Sequence, residues 1–209
     1  PPPSKALEAK HVIERKDQLE VFPVGKSPHR SKILKCVRDN MIQDEFVEHI
    51  GHTIVALCRH IPSGVLVFLP SYSVLGRVAS LWRQCGVWRE LERIKGTIVE
   101  EPQEGGVGEF RAAKRHYEEA IDVPGGGTAL LLAVYRGKMS EGISFNDDYA
   151  RGVLCVGIPY PSLVSPKICA KRVFNTWKRR GHSPDASDRG SGGRRTWPEI
   201  CAAGDHMVG

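Results

Sequence analysis

Ten consecutive residues, Arg136-Gly137-Lys138-Met139-Ser140-Glu141-Gly142-Ile143-Ser144-Phe145, gather the side chains that handle phosphate and ribose. Arg136 and Lys138 are cationic donors. Gly137 and Gly142 permit close backbone approach or a positive φ. Ser140 and Glu141 offer an N-cap hydroxyl and an acceptor. On residue types alone, an ordinary strand–turn–helix link accounts for the segment equally well.

Other chemical candidates fall away on spacing. Gly25-Lys26-Ser27 resembles the end of a P-loop, but Glu20 stands where that motif needs its first glycine. No helical pattern follows Pro28 to present amides to a phosphate. His49, His52, Cys58 and His60 are close in sequence, yet only the His49/His52 pair has a workable helical spacing and no further pair completes a metal site. The glycines at 105, 106 and 108, and at 125–127, stand in the wrong order relative to strands and helices for a dinucleotide fingerprint. No nucleophile–base pair has supporting spacing.

The elements around the polar decapeptide are readable. Val65-Leu66-Val67-Phe68-Leu69 is a short apolar run bounded by turn signals, as in a strand buried on both faces. Residues 130–135 and 153–158 read the same way, with 97–99 as a weaker strand. Residues 19–24 suggest a further short strand. Helices are expected over 41–60, where Phe46, Ile50, Ile54 and Leu57 keep helical spacing, over 71–85 behind a Ser71 N-cap, over 110–121, and over 167–179. Strands alternating with helices imply a parallel α/β sheet. Active loops then lie beyond the carboxyl ends of the strands, at 70–72, 136–146 and 159–162. The tryptophans at 82, 88, 177 and 197 read as packing groups.

Hydrophobic residues make up 41% of the 209, enough for one sizeable packed domain. The formal charge of +6 is uneven: residues 171–209 carry eight Lys or Arg against four Asp or Glu. A solvated end and an attraction for phosphates both explain that excess. Six cysteines (36, 58, 85, 155, 169, 201) form no CxxC pair and fit reduced thiols of an intracellular protein. No apolar run reaches the ~18 residues of a membrane helix, and no signal peptide is visible. The opening Pro1-Pro2-Pro3 without a methionine sets the expectation of a fragment, a processed product or an incomplete gene model.

The decapeptide RGKMSEGISF at 136–145 closely resembles motif V of XPD-like superfamily 2 DNA helicases, with the pattern RGKxSEG, then Ile or Leu, usually Asp, then Phe. VLVFLPSY at 65–72 resembles the family's motif IV, and GVLCVGIPYP at 152–161 the strand after motif V. Gly86-Val87-Trp88 with Leu91-Glu92, IVEEPQ at 98–103, NDDYAR at 146–151 and LEAKHVI at 7–13 look like the FancJ branch; the telomere-length-regulator branch is also similar. The resemblance covers residues 7–176.

It implies a RecA-like second motor domain over residues 19–179, between a linker (1–18) and a tail (180–209) expected to be disordered. Gly137, Lys138, Ser140, Glu141, Gly142 and Ser144 would line a nucleotide cleft shared with a first motor domain. Ser71, Tyr72 and Arg136 would meet the DNA, although a core aromatic is the equal alternative for Tyr72. ATP with Mg would be the cofactor, and an iron–sulfur cluster would belong to the first domain only. Single-stranded or forked DNA and that first domain would be the partners, in the nucleus and in DNA repair. No metal site is expected in this chain, and no membrane.

Two departures from the family stand out. Ser144 occupies the usual Asp position. Beyond Lys171-Arg172-Val173-Phe174-Asn175, the family's Gln-x-x-Gly-Arg-x-Ile-Arg motif does not follow, and Arg194 to Glu199 only faintly resembles the segment upstream of it. Such arginines supply roughly 10³–10⁵ in rate in phosphoryl transfer, so the chain alone is expected to be inactive. The alternative is a non-catalytic nucleic-acid-binding or scaffold fragment of a truncated paralogue; a small α/β enzyme with its own pocket is a weaker third.

Overall fold

A computed structural model describes residues 18–138, 145–158 and 166–179. They fall into two units divided after Ile158, each described by itself. The first holds four strands, β1 (Gly64–Leu69), β2 (Thr97–Glu100), β3 (Ala129–Val134) and β4 (Gly152–Cys155). Every pairing is parallel, in the order β2-β3-β1-β4. The sheet is flanked by helices, a RecA-like α/β arrangement.

Period-2 alternation explains why the central strands are apolar throughout. Val65, Val67 and Leu69 of β1, with Leu130, Leu132 and Val134 of β3, face one core; Leu66, Ala129, Leu131 and Ala133 face a second core across the sheet. The first core is closed by α2 (Asp44–Cys58), α3 (Tyr72–Cys85) and α4 (Val87–Lys95), the second by α5 (Val107–Ile121). Trp82 is fully buried and donates from Nε1 to the Val47 carbonyl at 3.0 Å. Trp88 is buried too, and donates to Glu92 at 2.9 Å.

Two sequence expectations shift, and one helix is new. The single helix over 41–60 is a short turn, α1 (Arg38–Met41), followed by α2. Gln43 takes an extended conformation between them, and Asp44 and Glu45 fill the first turn of α2, where acidic side chains suit the helix dipole. Residues 19–24 form no strand: β2 and β4 are the sheet edges, and the segment pairs with neither, leaving Phe22 69% exposed. Lys26 and Ile33 form an isolated antiparallel bridge instead. Helix α4 was not anticipated at all. In the second unit, α6 (Pro166–Arg179) takes the expected helical form. The expected disorder of residues 180–209 lies outside the described residues, as does the 1–17 part of the linker.

Candidate functional site

Strands β1, β2 and β3 run parallel, so their carboxyl ends open on one edge of the sheet. The residues just beyond those strand ends make the site. After β1, Ser71 caps α3: its hydroxyl accepts from the Val74 N–H at 3.3 Å and lies 3.0 Å from the Ser73 hydroxyl. Tyr72, the first residue of α3, is half-buried.

After β3 the ladder extends one step, with the Tyr135 N–H donating to the Leu69 carbonyl at 3.0 Å. The Tyr135 ring stacks on Phe68 at 5.7 Å, and its hydroxyl donates to the Gly157 carbonyl at 3.2 Å. Burial, with Cys155 beside it, pushes this phenol well above its ordinary range. The chain then turns sharply. Arg136 has φ 59°, unusual for a side-chain-bearing residue, and the Gly137 N–H donates back to the Val134 carbonyl at 2.9 Å. Arg136 and Lys138 are exposed, while Gly137 is buried. Lys138 reaches the Gly105 carbonyl at 3.1 Å and sits 4.5 Å over the Phe110 ring, a cation–π contact that ties the loop to the start of α5.

After β2 comes Glu101, inside the IVEEPQ segment but with no role assigned to it from the sequence. Glu101 is 2% exposed. The Tyr72 hydroxyl donates to one of its carboxylate oxygens at 2.8 Å, and the Val134 N–H donates to the other at 2.7 Å. A Cβ on Gly137 would collide with the same carboxylate, so glycine is what lets the loop lie against it. Burial, then the bond to Glu101, pushes the Tyr72 phenol up to about 12; the Lys138 backbone N–H offsets part of that rise. The only trace of Glu101 in the sequence is its place in IVEEPQ, two adjacent acids that look like a solvated loop.

The far side of the loop is anchored separately. Phe145 meets Tyr117 edge-on at 5.8 Å. Tyr149, in a 3₁₀ turn (Asp147–Ala150), places its hydroxyl 2.9 and 2.8 Å from the two Asp122 carboxylate oxygens. The Tyr117 hydroxyl donates to the Tyr149 carbonyl at 2.8 Å. Gly64 allows this approach, since a Cβ there would lie 2.5 Å from the Tyr117 hydroxyl.

The site residues thus divide. Ser71, Tyr72, Arg136, Gly137 and Lys138 stand together at the strand ends. Ser140, Glu141, Gly142 and Ser144 lie outside the described residues. Arg136 and Lys138 are the exposed cations of this group. Cys36, Cys58, Cys85, Cys155 and Cys169 form no disulfide, and among the described residues no three His, Cys, Asp or Glu side chains group for a metal. His49 and His52 face Glu45 and Glu48 on their own helix, at 3.6 and 3.4 Å. No described helix is long and apolar enough to cross a membrane.

The helicase C-terminal domain family matches residues 54–191. The chain is 38% identical over 170 residues to the Fanconi anemia group J protein homolog of Gallus gallus, covering 81% of this chain and 13% of that protein. It is 34% identical over 168 residues to the regulator of telomere elongation helicase 1 homolog of Aedes aegypti (80% and 16%) and 36% over 170 residues to the ATP-dependent DNA helicase CHL1 of Scheffersomyces stipitis (81% and 20%). The chain therefore spans a fifth or less of the length of these curated relatives. With the family matching across the sheet and both loops of the site, this chain belongs to the helicase C-terminal domain family, among the XPD-like superfamily 2 helicases.

Proposed function

We propose that this chain serves as the second motor domain of an ATP-dependent DNA helicase acting in the nucleus in DNA repair. The observation that carries the reading is the convergence of Ser71, Tyr72, Arg136, Gly137 and Lys138 on one edge of a RecA-like sheet. Nucleotide would bind between this edge and a first motor domain, with Mg held there. Lys138 would face its phosphates, and Gly137, Ser140, Glu141, Gly142 and Ser144 would continue the lining. Ser71 and Arg136 would donate to DNA phosphates, leaving the Tyr72 ring to pack beside the backbone. Hydrolysis would change the fit of the two domains and so the grip on single-stranded or forked DNA. An iron–sulfur cluster, where the full protein has one, would reside in the first domain.

The 209-residue chain alone is expected to bind single-stranded DNA weakly and to hydrolyse no ATP. Installed in the full-length Gallus gallus relative in place of the matching 170 residues, together with that protein's own downstream arginine motif, it should support DNA-stimulated ATP hydrolysis and unwinding. Lys138→Ala or Glu141→Ala should then cripple both. Unwinding at the parent rate by both variants would refute the motif V assignment. DNA binding by the isolated chain with an inert graft would favour the non-catalytic nucleic-acid-binding or scaffold reading.

A further inference from the structure

We propose that Glu101 is a positioning residue that sets the entry of the motif V loop: its carboxylate, held by the Tyr72 hydroxyl, fixes the Val134 turn and lies against the backbone of Gly137. The inference rests on the motor-domain reading for its functional meaning, but its geometry stands apart from it.

Strand β2 ends at Glu100, which is paired with Leu132 of β3. The next backbone bond runs from the Glu101 N–H to the Leu132 carbonyl at 2.8 Å. Strand β3 continues to Val134, whose N–H points to the side that β2 has vacated. A buried N–H without an acceptor is costly. The Glu101 side chain turns back and supplies that acceptor at 2.7 Å, standing in for the missing strand. Its other oxygen is thereby aimed at Tyr72, 29 residues earlier. One carboxylate so joins the ends of three strands: its own β2, the last residue of β3, and the first residue after the β1 turn. The loop that carries Gly137 lies directly against it.

A carboxylate suits this arrangement because it accepts at both oxygens. A carboxamide accepts at one and donates at the other. Glu101→Gln can therefore keep the Val134 bond, but it reverses the Tyr72 bond: the carboxamide donates to the phenol oxygen, and the phenol proton loses the carboxylate acceptor. Tyr72→Phe removes the same link from the other end and leaves the Glu101–Val134 bond in place. A residue that merely packed the core would lose little in either change.

The test uses the 209-residue chain as parent, Glu101→Gln, Tyr72→Phe and the double variant. Amide exchange at Gly137 and Lys138 should quicken by roughly tenfold in each single variant, the size of one well-placed hydrogen bond. The double variant should be no faster than Tyr72→Phe, and amides of Val67 and Leu131 should stay protected. Alkaline difference spectra, with Tyr72→Phe as reference, should show the Tyr72 phenol falling from about 12 towards its ordinary 10.0 in Glu101→Gln. Additive effects in the double variant, exchange that rises equally across β1 and β3, or an unmoved phenol would each overturn the proposal. Should Glu101→Gln not fold, Tyr72→Phe alone decides: unchanged exchange at 137–138 overturns it. In the full-length graft, Glu101→Gln should lower kcat for ATP while leaving KM within about twofold, the pattern of an interaction that matters in the transition state. A graft of the parent that is inert would remove the motor reading and leave the exchange result to judge Glu101.

Discussion

Cys58 lies on the inner face of α2 at 2% exposure, and burial pushes its thiol up from 9.0 to about 11, against a smaller opposing pull from Lys95. A raised pKa in the folded state means that the fold favours the neutral thiol. Its contribution is then complete below about pH 9 and is lost as pH rises towards 11, amounting to roughly 2–3 kcal/mol for a shift of this size. Denaturant unfolding of the parent and of Cys58→Ala, each at pH 8, 9, 10 and 11, should show the gap between them shrinking across that window. A constant gap would mean that the thiol does not titrate with the fold. Neither this behaviour nor the role of Glu101 was readable from residue type. Ser71 was readable, because an N-cap announces itself by a Ser before an apolar helical run. The partners of Glu101 lie 29 and 33 residues away, so nothing local separates it from the half-buried Glu100 beside it, which pairs with Arg83.

Among the elements, β1 and β3 were legible because a strand covered on both faces must be apolar at every position, and those runs are. Helix α4 was illegible for the opposite reason. It has nine residues between Gly86 and Gly96, and Arg89, Glu90, Glu92 and Arg93 break up its apolar positions. The buried stripe of Val87, Trp88, Leu91 and Lys95 includes a lysine, which reads as surface in any hydropathy pattern. In the fold, Lys95 is 1% exposed and its ammonium donates to the carbonyls of Ile61 and Ser63, at 2.5 and 3.2 Å. It fastens the end of α4 to the turn between α2 and β1. Lys95→Met keeps the length and removes the donor, leaving two half-buried carbonyls short of a partner. The expected loss is about 1–3 kcal/mol of unfolding free energy. Calorimetry on the two proteins measures it, and equal melting temperatures would show the ammonium to be dispensable. The same substitution takes away the cation that holds the Cys58 thiol down, so the alkaline loss of stability should move to higher pH in Lys95→Met.

At the scale of the whole chain, the question is where its basic excess acts. The sequence pattern attached it to everything after residue 170, but the helix boundary divides that stretch. Residues 180–209 hold four Lys or Arg and four Asp or Glu, so they add no net charge. Helix α6 holds Lys167, Lys171, Arg172, Lys178 and Arg179 and no acidic residue, with Lys171, Arg172, Lys178 and Arg179 exposed. Single-stranded DNA attracts a cluster of cations by releasing counterions, and each phosphate neutralised steepens the salt dependence of binding by ~0.7. The helix therefore meets the electrostatic requirement and the segment after it does not. Anisotropy of a labelled oligothymidine, titrated with the chain over a sodium chloride series, separates the two. Deleting residues 180–209 should leave affinity and slope nearly unchanged. Replacing Lys171 and Arg172 with alanine should weaken binding and flatten the slope by about 0.7 for each phosphate no longer neutralised. The opposite pattern, a flattened slope on deletion with the domain still folded, would move the DNA-binding cations from the helix to the segment beyond it.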